Sequence, residues 1–172
     1  PDQFFYLNQN SNPGNYWAHY YGTGSEIVAD MDGLPVDAFL TGLGTGGMLM
    51  GVGRRLREAH PKARVIAIEP TQGISKIEGL LHMDGSYFPP IWEEQWVDEH
   101  LYVPDEKAIE YTRLLAQRES LFGGISSGAN YWAALQVADR IPSGNIVFVC
   151  CDRGERYLST TMCQGMDGGK TL

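Results

Sequence analysis

A glycine-rich segment, Thr41 to Gly47, carries one hydroxyl at Thr45 and joins two predicted elements. It follows a short apolar run, 36–40, that predicts a buried strand, and it precedes a helical pattern over 48–60. Glycines let the backbone approach an anion closely, and the N–H groups at a helix start carry partial positive charge. The segment therefore predicts a phosphate-binding loop, in which Thr45 adds a hydroxyl donor. A glycine turn without a ligand is the alternative.

The glycine loop taken alone is compatible with a dinucleotide. Gly42, Gly44 and Gly47 satisfy the pattern G-x-G-x-x-G. Glu69 ends the next predicted strand, about 20 residues further on, where dinucleotide-binding folds place the acid that binds ribose. NAD is therefore one candidate ligand of this loop.

A second glycine-rich segment, 121–129, opens another predicted helix and contains Ser126 and Ser127. Serines at a helix start usually cap backbone N–H groups. The alternative is that one of the two hydroxyls faces a pocket. Dinucleotide binding does not require this segment, so it favours a different ligand.

Six short motifs extend these two segments into a recognisable series. In chain order they are Gly44-Thr45-Gly46-Gly47, Gly51-Val52-Gly53-Arg54, Ile66-Ala67-Ile68-Glu69-Pro70, Lys76-Ile77-Glu78-Gly79, Gly124-Ile125-Ser126-Ser127-Gly128-Ala129 and Gly154-Glu155-Arg156-Tyr157-Leu158-Ser159-Thr160. The series resembles the cysteine synthase family, which comprises β-substituting pyridoxal-phosphate enzymes of fold type II and is closely related to cystathionine β-synthase. The similarity extends from about Leu7 to Thr160.

The resemblance implies roles for eight residues. The residues matched to the loop around the cofactor phosphate are Gly44, Thr45, Gly46, Gly47 and Met48. Met48 replaces the usual threonine, which removes a hydroxyl but keeps a backbone N–H. Ser126 matches the residue that contacts the pyridine nitrogen, while Gln9 and Gly79 match positions beside the substrate.

The same resemblance shows what this sequence lacks. The family's Schiff-base lysine and its Ser/Thr-Gly-Asn-Thr-Gly loop lie upstream of the matched motifs, and neither occurs here. The four lysines, at positions 62, 76, 107 and 170, lie in no matching context, so no catalytic residue is predicted in this chain. The chain is therefore expected to be a C-terminal fragment of a longer two-domain enzyme and to be inactive alone. A non-catalytic regulatory or interaction remnant of the family is the alternative.

For the complete enzyme, the resemblance implies synthesis of cysteine, or of an S-substituted cysteine, by β-replacement. The substrates would be an activated serine, such as O-acetylserine or O-phosphoserine, and a sulfur nucleophile. Homodimer formation and a cytoplasmic location are also expected from the family.

The strands and helices predicted around these residues indicate an α/β fold in one domain, 1–172. Apolar runs at 36–40, 65–68 and 145–150 predict buried strands, and 104–118 and 127–140 predict helices. We expect the large cofactor-binding domain of a fold type II enzyme, incomplete here: a doubly wound parallel sheet in three αβα layers. Ligands of such sheets bind at the carboxyl ends of the strands, so 42–47 and 124–127 should meet at one pocket. The tail, 165–172, is predicted to be loose.

Composition argues against several other classes of protein. A net charge of −8 opposes binding of nucleic acid or of an anionic membrane through a basic face. No apolar run approaches the roughly 20 residues of a membrane-spanning helix. Scattered histidines and three cysteines without a C-x-x-C spacing predict no metal site, and the cysteines are expected to be buried or inert thiols.

Overall fold

The computed structural model describes residues 3–85, 87–160 and 162–163 of the chain. The five α-helices are α1 (Gly14–Tyr21), α2 (Thr23–Asp30), α3 (Gly47–Ala59), α4 (Asp105–Glu119) and α5 (Ile125–Ala138). The four strands are β1 (Ala38–Gly42), β2 (Arg64–Pro70), β3 (Glu99–Val103) and β4 (Ile146–Phe148). None of the helices in these described ranges combines the length and apolarity needed to cross a membrane. The predicted loose tail, 165–172, lies outside the described residues.

The four strands form one parallel sheet in the order β3-β2-β1-β4. Side chains alternate between its two faces, so Phe39 and Val65 point to one core and Leu40 and Ile66 to the other. Helix α3 covers the first face, and α4 and α5 cover the second. The predicted α/β, doubly wound parallel sheet in three layers is confirmed.

The first helical layer positions the glycine-rich loop. Helix α3 buries an apolar stripe that includes Leu49, Val52 and Leu56 against the sheet. The Arg54 guanidinium lies over the rings of Tyr16 and Trp96, at 4.7 and 5.1 Å, and joins α1 to the short 3₁₀ helix Glu94–Trp96.

The second helical layer positions the serine pair. Helix α4 begins after Pro104 with two acids on its positive end, and it ends at Ser120 in the left-handed region. Helix α5 packs Ala129, Ala133 and Val137 against the sheet. The small side chains of α5 bring its backbone close to the strands, so its first turn reaches the sheet's carboxyl edge.

Strand β3 was not predicted from the sequence. It opens with two polar residues, Glu99 and His100, and only Val103 is fully buried. Two tryptophans lie shortly before this strand. Trp92 and Trp96 are partly buried against the core beneath α3.

Candidate functional site

A cavity of about 440 Å³ opens at the carboxyl ends of β1 and β4. Seven of the eight predicted site residues line it: Gly44, Thr45, Gly46, Gly47, Met48, Gly79 and Ser126. They come from three separate segments of the chain. The structure therefore brings the two glycine-rich segments together at one pocket, as the topology predicts.

The glycine loop forms one wall, and two of its glycines are required by close contacts. Gly46 has φ +85°, and a Cβ there would lie 3.0 Å from a ring carbon of Trp92. A Cβ on Gly44 would lie 2.7 Å from the carbonyl oxygen of Gly79, so the loop and the facing wall are in direct contact. The N-cap of α3, Gly46, has no side chain to cap the first turn, so apart from the Gly47 N–H, which donates to Thr45, backbone N–H groups there lack an acceptor from the helix itself.

Thr45 is fixed within this loop by two hydrogen bonds. Its hydroxyl oxygen accepts from Asn15 Nδ2 at 2.9 Å and from the Gly47 N–H at 3.3 Å. Asn15 Nδ2 also donates to the carbonyl of Gln9 at 2.6 Å. Asn15 was not predicted from the sequence, and it connects the loop to the segment before α1.

The serine pair at the start of α5 forms the opposite wall, and its two hydroxyls have different surroundings. Ser127 is fully buried and accepts a hydrogen bond from the Cys151 N–H at 3.0 Å. Ser126 lines the cavity together with Cys151. One serine thus holds the backbone, and the other faces the pocket.

The two predicted substrate-side residues differ in position. Gly79 lines the cavity. Gln9 is exposed and lies outside the lining that the described residues form. Its link to the site is indirect, through the backbone carbonyl held by Asn15.

Four lining residues that follow β4 were missed: Cys151, Asp152, Arg156 and Tyr157. The signal was available, because residues directly after a parallel strand share the carboxyl edge with the loop after β1. Of the expectation of buried or inert thiols, the burial is wrong for Cys150 and Cys151, which are both exposed because β4 ends before them. Asp152 Oδ2 accepts from the Tyr157 hydroxyl at 2.7 Å, and burial together with this carboxylate raises the pKa of Tyr157 to about 12.

The remaining polar lining residues are Thr41, Glu78 and His19. His19 Nδ1 lies 3.1 Å from the Thr23 hydroxyl, and partial burial lowers the pKa of this histidine. No lysine lines the cavity in the described part of the chain. The glycine loop thus contributes backbone N–H groups and the Thr45 hydroxyl to the cavity, and Arg156 is a cationic side chain of its lining.

Glu69 does not face a ligand in the way NAD binding would require. Its side chain is 1% exposed, and His100 Nδ1 lies 2.6 Å from one of its oxygens. The other oxygen accepts the Met83 N–H at 2.7 Å. Both oxygens are engaged within the protein, so Glu69 is structural.

Comparison with known proteins identifies the family. The model of the family described as "Pyridoxal-phosphate dependent enzyme" matches residues 1–152. The chain belongs to this pyridoxal-phosphate enzyme family. Its cofactor is accordingly pyridoxal phosphate, and the NAD interpretation of the glycine loop is set aside.

Several pyridoxal-phosphate enzymes are similar to this chain over nearly its whole length. A cysteine synthase of Aquifex aeolicus is 40% identical over 171 residues, covering 97% of this chain and 52% of that protein. The O-ureido-L-serine synthase of Streptomyces lavendulae is 36% identical, covering 96% of this chain and 53% of the relative. A crystal structure of O-ureido-L-serine synthase superposes with a TM-score of 0.89 at 37% identity, over 97% of this chain and 55% of that structure. The chain spans about half the length of the curated relatives it matches.

The residues around the cavity fit pyridoxal phosphate. The glycine loop and the uncapped start of α3 suit a phosphate group, since both present backbone donors in a close-fitting wall. Ser126, 5% exposed, presents a neutral hydroxyl at the other wall, where a ring nitrogen needs a single polar contact. When bound, pyridoxal phosphate supplies an electron-withdrawing ring that stabilises negative charge on an amino-acid substrate.

Proposed function

We propose that this chain is the cofactor-anchoring half of a β-replacement enzyme that makes cysteine or an S-substituted cysteine. The co-substrates would be an activated serine, such as O-acetylserine or O-phosphoserine, and a sulfur nucleophile. The observation that carries the proposal is the convergence of the glycine loop, Gly79 and Ser126 at one cavity. Similarity to cysteine synthases across the chain supports the same reaction class.

Each wall of the cavity has a separate task in this proposal. The loop from Gly44 to Met48 binds the phosphate through backbone N–H groups, and Thr45 adds its hydroxyl. Ser126 holds the ring by a hydrogen bond without delivering a charge to it. Gly79 provides close access for the substrate, and Gln9 contacts the substrate carboxylate in the assembled enzyme.

The isolated 172 residues are proposed to be catalytically inactive. β-Replacement in this family requires a lysine that moves the α-proton, and the described lining contains none. The chain alone would therefore hold and orient the cofactor weakly. We propose that the complete enzyme is a cytoplasmic homodimer, as the family resemblance implies.

The test compares the protein as its source encodes it with the isolated 172-residue chain. Both are purified in the presence of pyridoxal phosphate, and visible absorption spectra are recorded before and after addition of O-acetylserine. Sulfide is then added and cysteine is quantified. We expect a cofactor band that shifts with O-acetylserine, and cysteine production, only for the protein as encoded.

Each other outcome identifies a specific error. Cysteine production by the isolated chain would overturn the proposed inactivity. Absence of any cofactor band in the protein as encoded would instead favour the non-catalytic remnant. A cofactor band without cysteine production from O-acetylserine or O-phosphoserine would reject the proposed substrates.

A further inference from the structure

A histidine bridges two acids behind the cavity. Glu69 is buried at the end of β2, and His100, on β3, places Nδ1 2.6 Å from its Oε1. His100 Nε2 lies 2.9 Å from Oε1 of Glu94, on the 3₁₀ helix. Both ring nitrogens thus face carboxylate oxygens, and only the imidazolium form donates from both. We call this arrangement the Glu69–His100–Glu94 bridge.

The Glu69 end of the bridge holds one wall of the cavity. Glu69 Oε2 accepts the Met83 N–H at 2.7 Å. Met83 follows the Gly79–Leu81 segment, and the Leu81 N–H donates to the carbonyl of Leu43 at 2.6 Å. The wall that carries Gly79 is therefore fixed at one end to the glycine loop and at the other to Glu69.

The Glu94 end of the bridge supports the glycine loop. Glu94 Oε2 accepts from Trp92 Nε1 at 2.8 Å. The Trp92 ring packs against Gly46, where a Cβ would lie 3.0 Å from it, and it also meets the His100 ring edge-on at 6.0 Å. One imidazolium thus connects the supports of both walls.

We infer that His100 is a positioning residue whose protonation holds the two walls of the pyridoxal-phosphate cavity in register. The inference rests on the proposed function of that cavity. His100 lines no part of the cavity in the described structure, so it acts through Glu69 and Glu94. The ligand class affected is the phosphorylated cofactor bound between the glycine loop and Gly79.

The surroundings of His100 favour its charged form. Hydrogen bonding to Glu69, with a further contribution from Glu94, raises the pKa of His100 above its usual 6.5 despite partial burial. The other titratable groups nearby are His82, whose Nδ1 lies 3.7 Å from Glu69 Oε2, and Tyr102 on the same strand, which lies within Coulombic range of both acids. Glu93, the chain neighbour of Glu94, forms an ion pair with Arg54.

The direction of the pH dependence follows from this raised pKa. The contribution of the bridge is complete below pH 6.5 and is lost as pH rises through the higher pKa of folded His100. Cofactor affinity should therefore weaken with rising pH in that window. The expected loss is about tenfold, in line with one hydrogen bond to a charged group.

The test uses the protein as encoded by its source and two variants. In His100→Asn, the side-chain amide donates near the position of Nδ1 and does not titrate, whereas His100→Leu removes both hydrogen bonds. Affinity for added pyridoxal phosphate is measured across pH for each apoprotein. Dividing the wild-type value by that of His100→Asn cancels the ionisation of the cofactor itself.

The expected result is a wild-type to His100→Asn affinity ratio that falls about tenfold as pH rises through the His100 pKa, while His100→Leu binds weakly throughout. Without cofactor, NMR should show the His100 ring titrating above 6.5, and the Met83 amide should exchange faster in His100→Leu. A flat ratio, or unchanged Met83 exchange, overturns the inference. Absence of cofactor binding by every form rejects the proposed function instead, while ring titration and Met83 exchange still test the bridge.

Discussion

Two helix starts meet at the cavity, and they present different chemistry to it. Helix α3 begins at a left-handed glycine, Gly46, with no side-chain cap. Helix α5 also has a glycine N-cap, Gly124, but its first turn carries two serines, of which Ser127 is fully buried and bonded to the Cys151 backbone. The first start exposes backbone donors, and the second exposes one hydroxyl, that of Ser126.

Under the proposed function, this difference would suit the two ends of the cofactor. Backbone N–H groups at an uncapped helix start suit a phosphate, which carries negative charge and several acceptor oxygens. A single neutral hydroxyl suits a ring nitrogen that needs one hydrogen bond. Both helices have a glycine N-cap without a side-chain hydrogen bond, so what distinguishes them is the glycine loop that precedes α3 and the Ser126 hydroxyl that the first turn of α5 presents.

Gly44→Ala, in the glycine loop before α3, is expected to have the largest effect on cofactor binding. The new Cβ would lie 2.7 Å from the Gly79 carbonyl oxygen, so the glycine loop and the facing wall must separate. Such overpacking costs about 1–3 kcal/mol. If this cost falls on the bound state, affinity for pyridoxal phosphate drops by about five- to hundredfold. Titration of the apoprotein with the cofactor measures the loss.

Gly73→Ala is the matched control for that variant. Nothing lies within 4 Å of a Cβ at Gly73, and its φ is outside the left-handed region. Cofactor affinity should be unchanged. Equal affinities for Gly44→Ala and Gly73→Ala would contradict the direct contact between the two walls.

The sequence allowed the architecture and most of the site to be predicted for a physical reason. Strand-forming apolar runs and the glycine-rich segments between elements are local signals. The carboxyl ends of parallel strands lie at one edge of a sheet, which brings the ends of β1 and β4 together. These local signals did not predict the secondary structure where tertiary contacts determine it. Strand β3, which lies at the sheet edge, carries Glu99, His100 and an exposed Tyr102, so it lacks the apolar run that marks the buried strands.

The hydrogen-bond partners of the side chains in the site could not be predicted from the sequence either. Asn15 meets Thr45 across 30 positions of the chain, and no local pattern relates the two. The separate positions of Ser126 and Ser127 depend on where β4 ends, since Cys151 supplies the N–H that engages only Ser127. The sequence predicted that one hydroxyl faces a pocket, and the structure assigns it to Ser126.

Comparing Ser126→Ala with Ser127→Ala tests whether the two hydroxyls in the first turn of α5 have different roles. Ser126→Ala should weaken cofactor binding about tenfold and leave the free energy of unfolding nearly unchanged, because this hydroxyl faces the cavity. Ser127→Ala should lower the free energy of unfolding by about 1–3 kcal/mol, because it leaves the Cys151 N–H without its acceptor. Denaturant unfolding and cofactor titration of both variants measure the two effects.

The two serine variants serve as each other's control, since they make the same chemical change one residue apart. Reversed effects, with Ser127→Ala selectively weakening cofactor binding, would show that the two hydroxyls have exchanged roles. Equal effects in both measurements would remove the distinction between the two serines on which the comparison depends.

The smallest expected effect is on the free energy of unfolding, and it concerns the hydrogen bond that Tyr157 donates to Asp152 at 2.7 Å. Because the pKa of Tyr157 is raised to about 12, its stabilising contribution is complete below pH 10 and is lost as pH rises through 12. Tyr157→Phe keeps the ring and removes the hydroxyl, so it should lower the free energy of unfolding by about 1 kcal/mol at neutral pH. The difference between wild type and variant should then shrink between pH 10 and 12. Denaturant unfolding across that range measures it, and a pH-independent difference would mean that the Asp152 contact does not stabilise the neutral phenol.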